Sequence, residues 1–228
     1  MSAPNSSSLN YNIVVLISGN GSNLQAIIDK IDSGEIQAKI VAVISNRADA
    51  FGLERAKNQG IPTAVLDHTL FDSRQSFDNK LSNIIDSYHP DLIVLAGFMR
   101  ILSDDFVNHF HGKLINIHPS LLPKYKGLQT HKRALNDYKE GLITEHGASV
   151  HFVIPELDAG TVLLHGNVPI RENDTVESLR QRVHKIEYVI YPKAIKWLAR
   201  GDVQFIDGKV YLNNKELHQA EKISLTKN

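Results

Sequence analysis

Cysteine is absent from this chain of 228 residues, which excludes disulfide bonds, thiolate nucleophiles and cysteine-ligated metal sites. Neither sign of charge is in excess, because 25 Lys and Arg residues balance 25 Asp and Glu residues. Since no global field attracts nucleic acid or an anionic membrane, any anionic ligand has to be held by a local site. We therefore expect neither nucleic acid nor a membrane among its partners.

Long hydrophobic runs and targeting signals are also missing. The longest apolar stretch, LIVLAGFM, is too short to span a bilayer. The N-terminal MSAPNSSSLN lacks the basic and apolar regions of a signal peptide. We expect a cytoplasmic protein in which residues 1–10 form a disordered N-terminal segment.

Apolar, β-rich runs alternate with helical patterns from Tyr11 onward, which predicts an α/β fold with a Rossmann-like sheet and helices on both faces. The runs IVVLI and LIVLA are apolar at every position, so these strands should be central in a sheet that is mostly parallel in its N-terminal half. A long helix is predicted from near Asp174, its expected cap, to Gly201, and Pro192 should bend or divide it. A hairpin turning at Asp207-Gly208 follows.

No internal repeat or linker divides the sequence, so we assign residues 11–212 to a single domain and residues 213–228 to a C-terminal tail.

The first strand leads into SGNGSNLQAII, which reads as a strand, a glycine turn and a helix start. Such a turn gathers free backbone N–H groups at the positive end of a helix dipole, which suits a phosphate. Gly19 and Gly21 match two glycines of a dinucleotide-binding G-x-G-x-x-G motif, but Leu24 occupies the third position. We predict that Gly21, Ser22 and Asn23 hold a phosphate monoester. The alternative is an ordinary tight turn with Ser22 as the helix cap.

The segment LINIHPSLLPKYKG begins as a buried strand and then meets Pro119. Asn116 and His118 share one face of that strand, at the end where ligands bind in open α/β sheets. An imidazole suits proton transfer near neutral pH, and an amide can stabilise an oxyanion. The pair favours a reaction at a carbonyl carbon. The alternative is a strand-end histidine bonded to backbone.

A histidine that transfers protons needs a partner, and the turn PELDAG offers Asp158. No Ser or Cys stands in a nucleophile elbow, which favours direct attack by an amine or by water. His151, on the strand before PELDAG, is a further candidate for the cleft. The histidines lack HExxH or another compact ligand spacing, so we expect no metal.

Together, ISGNGSNLQAII, LAGFMRIL, NIHPSLLPKYKG and ELDAG resemble the phosphoribosylglycinamide formyltransferases, the folate-dependent enzymes of purine synthesis. The resemblance runs from about Asn12 to about residue 200. It implies a formyltransferase domain over residues 11–212. It also implies direct formyl transfer from N10 of 10-formyltetrahydrofolate to the amine of glycinamide ribonucleotide, by a monomer or a homodimer that uses these two small molecules and no metal.

The resemblance assigns roles to individual residues as well. Asn116 would steady the oxyanion, His118 would assist proton transfer, and Asp158 would complete the catalytic set. The phosphoribosyl substrate would be held by Gly21, Ser22, Asn23 and Glu187. The folate contacts would fall on Arg74, Met99, Arg100, Ile101, Leu102, Asn116, Ile154, Pro155, Glu156 and Leu157.

Three alternatives stay open. Hydrolysis of formyltetrahydrofolate would replace the amine by water, but that family carries an extra N-terminal regulatory domain, whereas the first strand here is expected near Tyr11. Formylation of initiator methionyl-tRNA belongs to a family with a C-terminal nucleic-acid-binding domain and more positive charge. A non-catalytic phosphoribosyl-binding module is the third, and the joint presence of Asn116, His118 and Asp158 argues against it.

Overall fold

The structure is a computed structural model that describes residues 11–206 and 208–224. Its strands are β1 (Asn12–Ile17), β2 (Lys39–Ser45), β3 (Thr63–Val65), β4 (Leu92–Leu95), β5 (Leu114–His118), β6 (Glu145–Phe152), β7 (Val162–Pro169), β8 (Val203–Ile206), β9 (Lys209–Leu212), β10 (Lys215–Glu216) and β11 (Glu221–Ser224). Its helices are α1 (Ser22–Asp32), α2 (Phe51–Asn58), α3 (Arg74–Asp86), α4 (Asp104–His109), α5 (Thr130–Lys139) and α6 (Val176–Arg200).

Eight strands form the main sheet in the order β11-β7-β6-β5-β4-β1-β2-β3. Strands β1 to β5 are parallel, whereas β6 is antiparallel to both β5 and β7. The predicted α/β class and the mostly parallel N-terminal half are thereby confirmed. Because β1, β4 and β5 are parallel neighbours, the loops at their carboxyl ends meet along one edge of the sheet.

The centre of the sheet is covered on both faces. In β1, Val15 packs into a core cluster with residues of α1 and α6, whereas Val14 packs into a second cluster with residues of α3 and α4. Every residue from Ile13 to Ile17 is fully buried, as the unbroken apolar run predicted.

Helix α6 differs from its prediction at its start. Thr175, not Asp174, is the cap: its side chain accepts a hydrogen bond from Ser178 N in a capping box. Asp174 instead forms an ion pair with Arg182 at 2.6 Å. Pro192 does not divide the helix, which continues as one element until Gly201 ends it in the left-handed region at a φ of 75°.

Strands β8 and β9 pair antiparallel and confirm the predicted hairpin, although Asp207 of its turn lies outside the described residues. Beyond residue 212, β10 pairs with β9 in the small sheet, and β11 lies parallel to β7 at the edge of the main sheet. The segment that we assigned to a tail thus contributes two strands. Residues 1–10, assigned to a disordered segment, also lie outside the described part of the chain. Among the residues described, no helix is both long and apolar enough to cross a membrane.

Candidate active site

The glycine turn after β1 is tightly built. Gly21 has a φ of 73°, and a Cβ atom there would lie 2.6 Å from the Cα of Gly52 on α2, so a side chain is excluded twice over. Helix α1 begins directly afterwards at Ser22 and has no side-chain cap. Ser22 therefore does not cap the helix, and the first N–H groups of α1 are available to an anion.

The turn is joined to the long helix α6 by a polar contact. Asn23 Nδ2 donates a hydrogen bond of 2.9 Å to Oε2 of Glu187, whose side chain is buried. Burial raises the pKa of Glu187 to about 7, against the opposing effect of the Asn23 hydrogen bond. The structure thus brings together the residues that the sequence had assigned to a phosphoribosyl ligand.

One turn further along α6, a tyrosine supports the strand ends of the site. The hydroxyl of Tyr191 lies 3.0 Å from the carbonyl oxygen of Leu95 and 3.2 Å from that of Ile115. These are the carbonyls of neighbouring strands β4 and β5, just before Asn116. Tyr191 is fully buried, so its hydroxyl needs such acceptors.

Asn116 is oriented by a histidine of the neighbouring strand. Its Nδ2 lies 3.2 Å from Nε2 of His151, directly across the β5–β6 ladder. An amide nitrogen only donates, so Nε2 accepts and the ring proton sits on Nδ1, which donates to the carbonyl of Phe152 at 2.8 Å. Burial lowers the pKa of His151 to about 4, which agrees with a neutral ring.

His118 has acceptors at both ring nitrogens. Its Nε2 lies 3.0 Å from the carbonyl oxygen of Tyr125, and its Nδ1 lies 3.4 Å from Oδ2 of Asp158. A carbonyl oxygen only accepts, so Nε2 donates to Tyr125, and the Asp158 carboxylate lies close enough to Nδ1 to orient the ring. The carboxylate of Asp158 is therefore the acidic partner of His118 in this site.

Asp158 is fixed by the two loops that meet over His118. Its Oδ2 accepts a hydrogen bond of 2.8 Å from Gly127 N, and its Oδ1 lies 3.8 Å from Nε2 of His151. The residue adopts a φ of 48°, which its short side chain tolerates. Two residues later, a Cβ atom at Gly160 would lie 1.9 Å from the carbonyl oxygen of Phe152, so the turn of ELDAG requires glycine there.

The segment predicted to contact folate follows the carboxyl end of β4. Met99 N donates to Ser18 Oγ at 2.8 Å, which ties this segment to the residue before the glycine turn. Met99 and Ile101 are 71% and 63% exposed, an unusual position for apolar side chains, whereas Leu102 is buried. The guanidinium of Arg100 lies over an aromatic ring of α3, 4.5 Å from its centre.

The other predicted folate contacts are loop residues or lie at a helix start. Ile154 is half-buried, and the three residues after it are exposed, namely Pro155, Glu156 and Leu157. Glu156 pairs with Lys126 at 3.0 Å, so the ELDAG loop also contacts the loop that follows His118. Arg74 is exposed at the first position of α3.

The structure therefore gathers Asn116, His118 and Asp158 into one cluster, and Asn23 with Glu187 into a second contact at the same sheet edge. The sequence had left His151 as an unassigned candidate and gave no role to Tyr191. The role of His151 beside Asn116 depends on the register between β5 and β6, which a single sequence does not reveal.

Residues 11–195 match the formyl transferase family. The chain belongs to that family. This formyl transferase is 52% identical over 206 residues to the phosphoribosylglycinamide formyltransferase of Escherichia coli (strain K12), with 90% of this chain and 95% of that one covered. It is 48% identical to the enzyme of the same name from Haemophilus influenzae, with 91% and 96% covered.

A solved structure also matches this formyl transferase. The phosphoribosylglycinamide formyltransferase of Coxiella burnetii, in complex with CHES, superposes with a TM-score of 0.87 at 50% identity, and the match covers 93% of this chain and 99% of that one. Family membership implies a formyl donor as co-substrate. Within residues 11–206 and 208–224, no group of three His, Cys, Asp or Glu side chains is arranged to hold a metal ion.

Proposed function

We propose that this protein transfers the formyl group of 10-formyltetrahydrofolate to the amine of glycinamide ribonucleotide, in the cytoplasmic synthesis of purines. The observation that carries the proposal is the cluster of Asn116, His118 and Asp158 at the same sheet edge as an uncapped glycine turn, in a chain 52% identical to a phosphoribosylglycinamide formyltransferase.

The distance between the two parts of the site suits this substrate. The glycine turn follows β1, and Asn116 and His118 lie at the carboxyl end of β5, with β4 between the two strands. Two strand spacings amount to roughly 10 Å, which a ribose can bridge between its phosphate and its glycinamide amine. Ser22 and Asn23 would hold the phosphate with backbone N–H groups, and Glu187 would contact the sugar hydroxyls.

Asn116 would act on the formyl oxygen. As the amine attacks the formyl carbon, negative charge gathers on that oxygen, and the amide N–H not used by His151 can donate to it. The loss of one such donor typically costs about 2.7–4 kcal/mol of transition-state stabilisation. His151 serves this step by holding the amide in a fixed orientation, since its lone pair occupies the other N–H.

His118 would transfer protons between the amine and N10. The new C–N bond forms as the bond between the formyl carbon and N10 breaks, so the amine must lose one proton and N10 must gain one. With Asp158 at its Nδ1, His118 would exchange its Nε2 hydrogen bond to the Tyr125 carbonyl for one to the leaving nitrogen, donate that proton and recover one from the amine, directly or through water. Overall no proton is gained or lost by the protein.

The folate would lie between the segment after β4 and the ELDAG loop. Met99, Ile101 and Leu157 offer exposed apolar surface there, which suits a flat pteridine, while backbone groups can bond its edge. Arg74 would meet the glutamate end of the molecule.

The proposal is tested by purified protein with 10-formyltetrahydrofolate and glycinamide ribonucleotide, measured by the absorbance of deformylated folate. Deformylation that depends on the amine supports transfer. Release without the amine would favour the hydrolase, and the absence of any turnover alongside tight substrate binding would favour a non-catalytic module.

A further inference from the structure

Arg55, a residue of α2, forms hydrogen bonds with the glycine turn. The guanidinium of Arg55 donates from Nε to the carbonyl oxygen of Asn20 at 2.9 Å and from Nη2 to the side-chain oxygen of Asn20 at 3.1 Å. Its third nitrogen, Nη1, donates to Gln25 Oε1 on α1 at 3.3 Å. One side chain therefore joins the middle of the turn to the second turn of the helix that follows it.

The arginine is itself held in place. Its guanidinium lies over the ring of Phe51, 4.9 Å from the ring centre, so the fork is fixed in a plane by stacking as well as by hydrogen bonds. The backbones of the two elements also touch. Gly52 N donates to the carbonyl oxygen of Gly19 at 3.0 Å, and a Cβ atom at Gly52 would lie 2.6 Å from Cδ1 of Ile17.

This contact gives one carbonyl oxygen of the turn a hydrogen-bond donor. A phosphate oxygen needs N–H groups and is repelled by carbonyl oxygens. Arg55 occupies the carbonyl of Asn20, whereas the backbone N–H groups of Ser22 and Asn23 make no hydrogen bond within the described residues. A lysine could supply the charge but not the planar fork that bonds two oxygens of one residue at once.

We propose that Arg55 is a positioning residue for phosphate recognition: through Asn20 and Gln25 it fixes the glycine turn in its anion-binding form, without itself contacting the reacting groups. The inference rests on the proposed function, since it names glycinamide ribonucleotide as the phosphorylated ligand. Its consequence is a selective effect on one of the two substrates.

The test compares Arg55→Met with the wild type. Met retains an unbranched stem against Phe51 but loses all three hydrogen bonds. We expect the KM and the calorimetric Kd for glycinamide ribonucleotide to rise about tenfold or more, whereas the KM for 10-formyltetrahydrofolate and kcat at saturating amine stay within about twofold. Arg55→Lys should remain close to Arg55→Met. Equal rises in both KM values, an unchanged KM for the ribonucleotide, or full rescue by lysine would overturn the inference.

The matched control is Lys57→Met, which removes the same charge from the same helix at an exposed ion pair with Glu54. We expect its kinetics to equal the wild type, and the same selective rise in this variant would also contradict the inference. If Arg55→Met does not fold, Asn20→Ala provides the test. Loss of the Asn20 side-chain oxygen should raise the Kd for glycinamide ribonucleotide about threefold, and an unchanged Kd would refute the role of Arg55.

Calorimetry with glycinamide ribonucleotide separates the two claims. Binding by the wild type without turnover would remove the proposed function, whereas selective weakening in Arg55→Met would still support the positioning role. Turnover by the wild type together with normal binding by Arg55→Met would support the proposed function and refute the positioning role.

Discussion

Replacing Asp158 by asparagine removes one charge from the candidate active site and leaves its shape unchanged. In the wild type, Oδ2 accepts from Gly127 N at 2.8 Å and faces Nδ1 of His118 at 3.4 Å. A carboxamide oxygen at the same place can accept from both donors. The amide nitrogen then replaces Oδ1, which lies 3.8 Å from Nε2 of His151. The fold should tolerate the change, because every hydrogen bond has a neutral substitute.

The magnitude follows from the contact between His118 and the Asp158 carboxylate. The side chains of His118 and Asp158 are each 8% exposed, so solvent screens their attraction little. An interaction with a charged partner contributes about 1.5–3 kcal/mol, which corresponds to about 10- to 10²-fold in a rate. We therefore expect kcat to fall about 10- to 10²-fold, while both KM values change by less than about threefold.

Steady-state absorbance assays of deformylation would measure this effect. Asp86→Asn is the control, since Asp86 and His109 form an exposed pair of the same chemistry at 2.9 Å, far from any proposed role. We expect Asp86→Asn to be as active as the wild type. A kcat for Asp158→Asn within about threefold of the wild type would show that the charge on Asp158 is not needed, and its proposed role as the partner of His118 would be abandoned.

Three further predictions concern other parts of the site. His118→Ala should lose most of kcat, at least about 10²-fold, and still bind both substrates, so equal losses in binding and turnover would contradict its assignment. Glu187 has a pKa raised from 4.5 to about 7, so its burial costs stability progressively as the pH rises from about 4.5 to 7. Glu187→Gln should therefore gain on the order of 3 kcal/mol over the wild type in urea unfolding above pH 7 and nothing near pH 4, and a gain independent of pH would refute this. Ser18→Ala leaves Met99 N and Asn46 Oδ1 without their hydrogen-bond partner, so the melting temperature should fall and the KM for folate should rise. An unchanged KM for folate would show that Ser18 does not support the folate segment.

Local patterns were sufficient for most of the fold. The all-apolar run at Ile13–Ile17 predicted a central strand because both of its faces are covered, and the period of two placed Asn116 and His118 on one side. The glycine turn was readable because Gly21 needs both a positive φ and no Cβ. These features depend on neighbouring residues or on simple backbone geometry.

Features that depend on distant pairing were not readable. His151 faces Asn116 because β6 runs antiparallel to β5 in one register, and a shift by one residue would point it to the other face. The cap of α6 was misassigned because Asp174 and Thr175 are both good caps. Arg182, two turns along the helix, takes Asp174 as its partner and leaves Thr175 at the cap.

The most direct test of the central claim is the rate of folate deformylation by the wild-type protein, measured with and without glycinamide ribonucleotide. If the Asn116 amide, the His118 imidazole and the Asp158 carboxylate act on one formyl carbon and the glycine turn binds the phosphate, as we propose, turnover will be rapid, will require the ribonucleotide and will leave its amine formylated. Deformylation at the same rate in water alone, or none with both substrates bound, would contradict the account.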